Sequence, residues 1–171
     1  KRFNSPNDLA FAKDGALYFT DPPFGLAKQD DDPAKELAFN GVYRFANGRV
    51  QAVVRDLNRP NGLAFSPDGR ILYVNNSDPT KNVVMRYDVV PDGSIGNGRV
   101  FADLTSQPGE DAIDGIKVDT RGNVYISGPG GLWIYSPEGK ALGVIEGAEH
   151  PHNFAWGDAD GRTLYMTART G

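Results

Sequence analysis

One phrase recurs four times in this chain and limits what it can fold into. It reads PNDLAFAKDGALYFTD at 6–21, PNGLAFSPDGRILYVNNS at 60–77, DGIKVDTRGNVYISGP at 114–129 and HNFAWGDADGRTLYMTA at 152–168. Each copy is a short apolar run, a turn containing Gly, and a second apolar run. In the second copy, Pro67-Asp68-Gly69 supplies a fixed φ followed by a residue free to take φ > 0, flanked by Leu63-Ala64-Phe65 and Leu72-Tyr73-Val74. The expectation is one β-hairpin per copy. The heads of the copies, Asn7, Asn61, Asp114 and Asn153, are separated by 54, 53 and 39 residues. That spacing is the length of a four-stranded propeller blade, about 40 to 50 residues. A β-sandwich built of the same strands would not require such a period.

The expected fold is therefore all-β, a six-bladed β-propeller of which residues 1–171 cover about three and a half blades: approximately 7–56, 61–104, 113–146 and an incomplete 152–171. Leu63, Phe65, Leu72 and Tyr73 are expected to pack between strands or blades. Residues 1–6 read as the tail of an earlier connection, and the chain lacks an initiator Met, so missing upstream and downstream blades are expected to complete the ring. Between the first and second blade strands and the third, Asp21 to Asn40 reads as a loop insert. Its acidic run Asp30-Asp31-Asp32 reads as solvated surface, with a lid over a site as the alternative.

Composition excludes several function classes. A net charge of −4 and a pI near 5.1 leave no basic stripe for nucleic acid. No apolar run approaches the roughly 18 residues of a membrane span, and Lys1-Arg2-Phe3-Asn4 is no secretory signal. With zero Cys there are no disulfides and no thiolate metal sites. The chain reads as soluble, with cytoplasm and periplasm both open. Gly128-Pro129-Gly130-Gly131 matches no phosphate-loop spacing and reads as turn.

Adjacent blade strands run antiparallel, so the four heads share a face with the segments that follow each second strand: 21–40, 75–82, 127–130 and 169 onward. If the first strand of each blade is innermost, the heads ring the mouth of a central channel. Three amides and a carboxylate form a hard-oxygen environment that suits Ca²⁺, or Mg²⁺ and Mn²⁺ less specifically. Asn and Asp before Gly are also ordinary turn formers, so any one head alone would carry little weight. The only histidines, His150 and His152, read as loop residues, and His152, beside Asn153, is placed to reach substrate at the mouth.

Several phrases together resemble the senescence-marker-protein, gluconolactonase and luciferin-regenerating-enzyme family. They are Ser5-Pro6-Asn7-Asp8-Leu9, Asp21-Pro22-Pro23-Phe24-Gly25, Asp31-Asp32-Pro33 followed by Phe39-Asn40-Gly41-Val42-Tyr43, Pro60-Asn61-Gly62-Leu63 with Ser66-Pro67-Asp68-Gly69, and Asp114-Gly115. The resemblance implies a metal-dependent, six-bladed propeller hydrolysing a small lactone or ester. It implies one divalent cation, Ca²⁺ foremost, with Mg²⁺, Mn²⁺ or Zn²⁺ as the other candidates. By it, Asn61 and Asp114 match metal ligands, Asn7 matches an asparagine that contacts metal or substrate, and Asp114 is also the catalytic base. Asn7, Asn153 and His152 are the expected substrate contacts. The family's early Glu-Gly-Pro phrase has no counterpart here. Two rivals stand beside the lactonase reading: a phosphotriesterase-like hydrolase, and a non-catalytic propeller that binds a protein or peptide at the same mouth.

Overall fold

Tight turns closed by glycine set the strand register. In Ser66–Gly69 the N–H of Gly69, at φ +74°, donates to the Ser66 carbonyl, while the Asp68 carboxylate takes the N–H of Arg70 and the Ser66 hydroxyl. The same closure recurs at Gly15, Gly93, Gly122, Gly139 and Gly161, each donating to the residue three positions back. At Asn47-Gly48 both residues have positive φ, +51° and +72°, the primed turn whose twist matches paired strands. The computed structural model describes residues 1–109, 112–147 and 149–168.

Among the described residues such turns and longer loops connect fourteen strands in four antiparallel sheets. The first sheet is β1 (Leu9–Phe11), β2 (Leu17–Asp21), β3 (Gly41–Ala46) and β4 (Arg49–Val54), in chain order. The second is β5 (Pro60–Phe65), β6 (Ile71–Asp78), β7 (Lys81–Val89) and β8 (Ile95–Asp103), and the third is β9 (Ile116–Val118), β10 (Val124–Gly128), β11 (Gly131–Tyr135) and β12 (Ala141–Ile145). The hairpin β13 (Pro151–Gly157) with β14 (Thr163–Ala168) forms the fourth. Four-stranded antiparallel sheets in chain order have the form of β-propeller blades. Each of the four sequence repeats is the inner hairpin of one sheet.

The core lies between the sheets. Strand β6 alternates: Leu72 and Val74 pack with Leu63, Val83, Met85 and Tyr87 against Ala16, Tyr18, Val42 and Val54 of the first sheet. Tyr73, with Ala64 and Val84, packs against Ile113, Ile116, Val124 and Ile126 on the third-sheet side. Phe65 is partly buried on the first-sheet side, with its ring edge-on to Tyr18 at 5.1 Å. The second sheet is thus covered on both faces, which is why Ile71 to Val74 of β6 and Val83 to Met85 of β7 are apolar without alternation.

Two expectations change. The segment 75–82, read as loop, is the end of a long β6–β7 hairpin that turns only at Pro79-Thr80. Asn76 and Ser77 continue the strand because their side chains are satisfied there, Asn76 by Arg59 N–H and the Lys81 carbonyl, and Ser77 by Asn61 and Ile113. Within the insert, Gln29–Asp31 forms a single 3₁₀ turn, and Asp32 accepts the N–H groups of Lys28 and Ala34.

Candidate active site

The inner ends of the sheets carry the candidate site, and the backbone fixes which residues are equivalent. Asn7 N–H donates to Thr20 and Thr20 N–H to Asp8; in the third sheet Asp114 N–H donates to Ser127 and Ser127 N–H to Gly115. Asn7 and Asp114 therefore occupy the same position. Across sheets, Gly62 N–H donates to the Asp114 carbonyl at 3.1 Å, and Gly115 N–H donates to the His152 carbonyl at 2.9 Å. Likewise the Ser77 hydroxyl donates to the Ile113 carbonyl, and the Ser127 hydroxyl to the Pro151 carbonyl. Both relations put His152, rather than Asn153, at the head of the fourth repeat. A sequence signal for this exists: Pro6, Pro60 and Pro151 each precede the head.

A cavity of about 260 Å³ is lined by Phe24, Asn61, Ser77, Ala112, Ile113, Asp114, His150 and His152. Asn61 and Asp114 thus meet as the sequence implies, and His152, on β13 of the fourth hairpin, reaches Asp114: its Nδ1 lies 3.0 Å from Asp114 Oδ2. Their side chains are 34% and 37% exposed for Asp114 and His152, so both reach the cavity solvent. The His150 and His152 rings meet edge to face at 5.2 Å.

The orientation of the Asn61 amide follows from its neighbours. Ser77 donates its one hydroxyl proton to the Ile113 carbonyl, so toward Asn61 it acts as acceptor, taking the Nδ2 proton at 3.0 Å. Among the described residues Asn61 Oδ1 is then left buried without a hydrogen-bond partner. An unpaired buried carbonyl costs on the order of 1–3 kcal/mol, so a ligand that accepts its lone pairs is favoured there. Asp114 is held at its backbone: its carbonyl takes Asn75 Nδ2 at 2.7 Å as well as Gly62 N–H.

The remaining expected contacts lie elsewhere. Asn7 is exposed and does not line the cavity. Asn153 turns below it, where its Oδ1 accepts the Lys117 ammonium at 3.0 Å and its own neighbour's N–H, from Phe154. Lys117 also stands 3.9 Å from Asp8, just before β1, so it ties the third sheet to the first. Among the described residues no group of three or more His, Asp and Glu side chains is placed to share a metal ion. A hard cation would have to rest on the amide oxygen of Asn61 with Asp114, a donor set whose chemistry fits one. The acidic run does not reach this cavity; Asp30 and Lys35 line a separate one with Phe39 and Arg55. Positions 169 onward, expected on the same face, lie outside the described residues. Sequence reading gave no role to Ser77, Ile113 or Phe24.

The sequence profile of the SMP-30/gluconolactonase/LRE-like region matches residues 1–170. The chain belongs to this family. Among curated members, a gluconolactonase of Zymomonas mobilis is 40% identical over 98% of this chain and 49% of its own length. The diisopropyl-fluorophosphatase of Loligo vulgaris is 26% identical over 81% of this chain and 46% of its own. Among solved structures, a gluconolactonase from Xanthomonas campestris superposes with a TM-score of 0.85 at 37% identity, covering 98% of this chain and 55% of that one. As an SMP-30/gluconolactonase-like chain it spans about half the length of the curated relatives it matches. Its four-stranded sheets are consistent with the β-propeller expected of the family. No helix among the described residues is long and apolar enough to cross a membrane.

Proposed function

We propose that the Asn61–Asp114–His152 cavity hydrolyses a lactone, and that the sheets are blades of a six-bladed ring. The observation that carries the reading is the buried Asn61 Oδ1, without a hydrogen-bond partner among the described residues, in one cavity with the Asp114 carboxylate. Asn4 Oδ1 and Asn75 Oδ1 are likewise unpartnered among the described residues, but neither lines that cavity, so only at Asn61 does an open amide oxygen stand with a carboxylate. Similarity to gluconolactonases supplies the substrate class.

In the reaction a water oxygen bonds to the lactone carbonyl carbon, the ring C–O bond breaks, and a hydroxy acid leaves. Asp114 accepts the water proton. His152 Nδ1, hydrogen-bonded to that carboxylate, orients it and gives the proton a second place to rest before the departing ring oxygen takes one up. Asn61, fixed by Ser77, and Asp114 would hold a divalent cation, Ca²⁺ foremost; when bound, such an ion polarises the carbonyl and lowers the pKa of a bound water. Phosphotriester hydrolysis in the same cavity is the second reading, favoured by the likeness to diisopropyl-fluorophosphatase.

Asp114→Asn tests the proposal. It keeps size and an oxygen while removing the charge, so turnover should fall by about 10² to 10⁴, the usual worth of a positioned general base, with a much smaller change in stability. Calorimetric titration with Ca²⁺ should show weakened binding. Near-normal, metal-independent lactone hydrolysis by the variant would remove Asp114 from the machinery. A wild-type protein inactive on lactones and phosphotriesters alike would place the chain among binding modules.

A further inference from the structure

Phe24 is the one residue of the 21–40 insert that lines the Asn61–Asp114 cavity. Its loop is clamped rather than free. The Ser5 hydroxyl donates to the Pro22 carbonyl at 2.7 Å and accepts Gly25 N–H at 2.9 Å, while Leu26 N–H closes a turn onto Pro23. Gly25 is needed for this approach, because a Cβ there would come within 2.8 Å of Ser5 Cβ. Pro22 and Pro23 restrict the backbone further. The loop therefore holds an aromatic side chain 36% exposed at the cavity wall.

Phe3, Phe19, Phe39 and Tyr43 form edge and stacked contacts at 5.0 to 6.1 Å, and among the described residues Phe24 makes none. An aromatic face left open beside Ile113 and Ala112, with amide, carboxylate and imidazole groups on the same cavity, suits an amphipathic ligand. A sugar lactone has this character: hydroxyl groups around its edge, and polarised C–H bonds on its ring face that are attracted to the negative face of an aromatic ring.

We propose that Phe24 is a specificity-determining residue, the platform on which the C–H face of a sugar lactone stacks. The proposal rests on the lactone-hydrolase reading for the identity of the substrate. Its sequence signature is the Pro22-Pro23-Phe24-Gly25 turn together with Ser5.

The test compares wild type, Phe24→Leu and Phe24→Ala on D-glucono-1,5-lactone and on δ-valerolactone, which has the same ring size and no hydroxyls. Leucine keeps apolar area and loses the π face. Phe24→Leu should therefore raise KM for gluconolactone about 3- to 10-fold, the range an aromatic contact is worth beyond its area, with kcat little changed and δ-valerolactone unaffected. Phe24→Ala should raise KM for both. Binding of 1,5-anhydroglucitol, which has the sugar ring and no carbonyl, should weaken in both variants by saturation-transfer NMR. Gluconolactone kinetics unchanged in both variants would overturn the proposal. Were wild type to hydrolyse neither lactone, the lactonase reading would fail on its own. Anhydroglucitol binding lost in Phe24→Ala would then still uphold a sugar platform, and its absence from wild type would overturn it.

Discussion

Two aspartates that end second strands are tuned in opposite directions. Asp21 ends β2 and takes the N–H groups of the chain entering its sheet, the place Asn76 holds in the second sheet, while Asp78 ends β6 two residues further on, at the hairpin turn. Burial pushes the Asp21 carboxyl above the ordinary 3.8, against the N–H bonds from Asn4 and Ser5 that lower it. Burial pushes Asp78 upward as well, but the hydroxyl and N–H of Thr80 and the Asn58 amide outweigh it and hold the group below 3.8. Carboxyl ¹³C titration should therefore find the Asp21 midpoint above and the Asp78 midpoint below that value. The reverse order would show that bonding rather than desolvation rules at Asp21. The stability consequences have opposite signs. Asp21, raised in the folded state, contributes most at low pH and loses its contribution as pH rises through its folded value. Asp78, depressed, contributes above its unfolded value and loses that contribution as pH falls.

At the scale of elements, close approach of inner strands decides where the site groups stand. A Cβ on Gly62 would overlap the Asp114 carbonyl oxygen, the acceptor of Gly62's own N–H. Gly62→Ala should force β5 away from the head of the third sheet and destabilise the protein by about 1–3 kcal/mol, the overpacking range, measured as a shift in the denaturant midpoint. It should also lower activity, since Asp114 is anchored by that bond. Full stability with full activity would show that the strands separate at no cost to the site. The glycine at this place was visible in the sequence as part of Asn61-Gly62 and Asp114-Gly115, but there it read as turn chemistry. Its actual demand comes from a neighbouring sheet, 52 residues further along the chain for Gly62.

Across the whole molecule, Lys117 links three sheets: it projects from β9 to Asn153 on β13 and lies 3.9 Å from Asp8 before β1, with the Phe154 ring 5.8 Å from its ammonium. Gly115 makes room for this arrangement, since a Cβ there would come within 2.7 Å of Asn153 Oδ1. The fourth hairpin otherwise packs on the third sheet through few side chains, among them the Tyr125–Trp156 edge contact at 5.1 Å. Lys117→Ala should therefore speed amide hydrogen exchange in β13 and β14 while leaving β6 and β7 protected, because local opening follows the loss of local ties. Acceleration spread evenly over all sheets would refute the tie. Since the Lys117 side chain is 31% exposed, the ionic part of the effect should be small and should shrink further in salt.

Strand periodicity and turn chemistry are local, so the four hairpins, their Gly-closed turns and the pairing of Asn61 with Asp114 could be read from residue order. The register between sheets could not. Matching by residue type set Asn153 beside Asn61. The bonds from Gly115 to His152 and from Ser127 to Pro151 shift that repeat by one residue and bring an imidazole to Asp114 instead. A one-residue shift turns every side chain to the other face of a strand, so it moved Asn153 out of the cavity and onto Lys117. Nor could residue order show that the Ser77 hydroxyl is committed to Ile113, which leaves Asn61 Oδ1 without a partner among the described residues, or that Ser5 holds Phe24 at the cavity wall. The first depends on a partner 36 residues away, brought close only when the second sheet packs against the third, and the second on a partner 20 residues away that the β1–β2 pairing folds back.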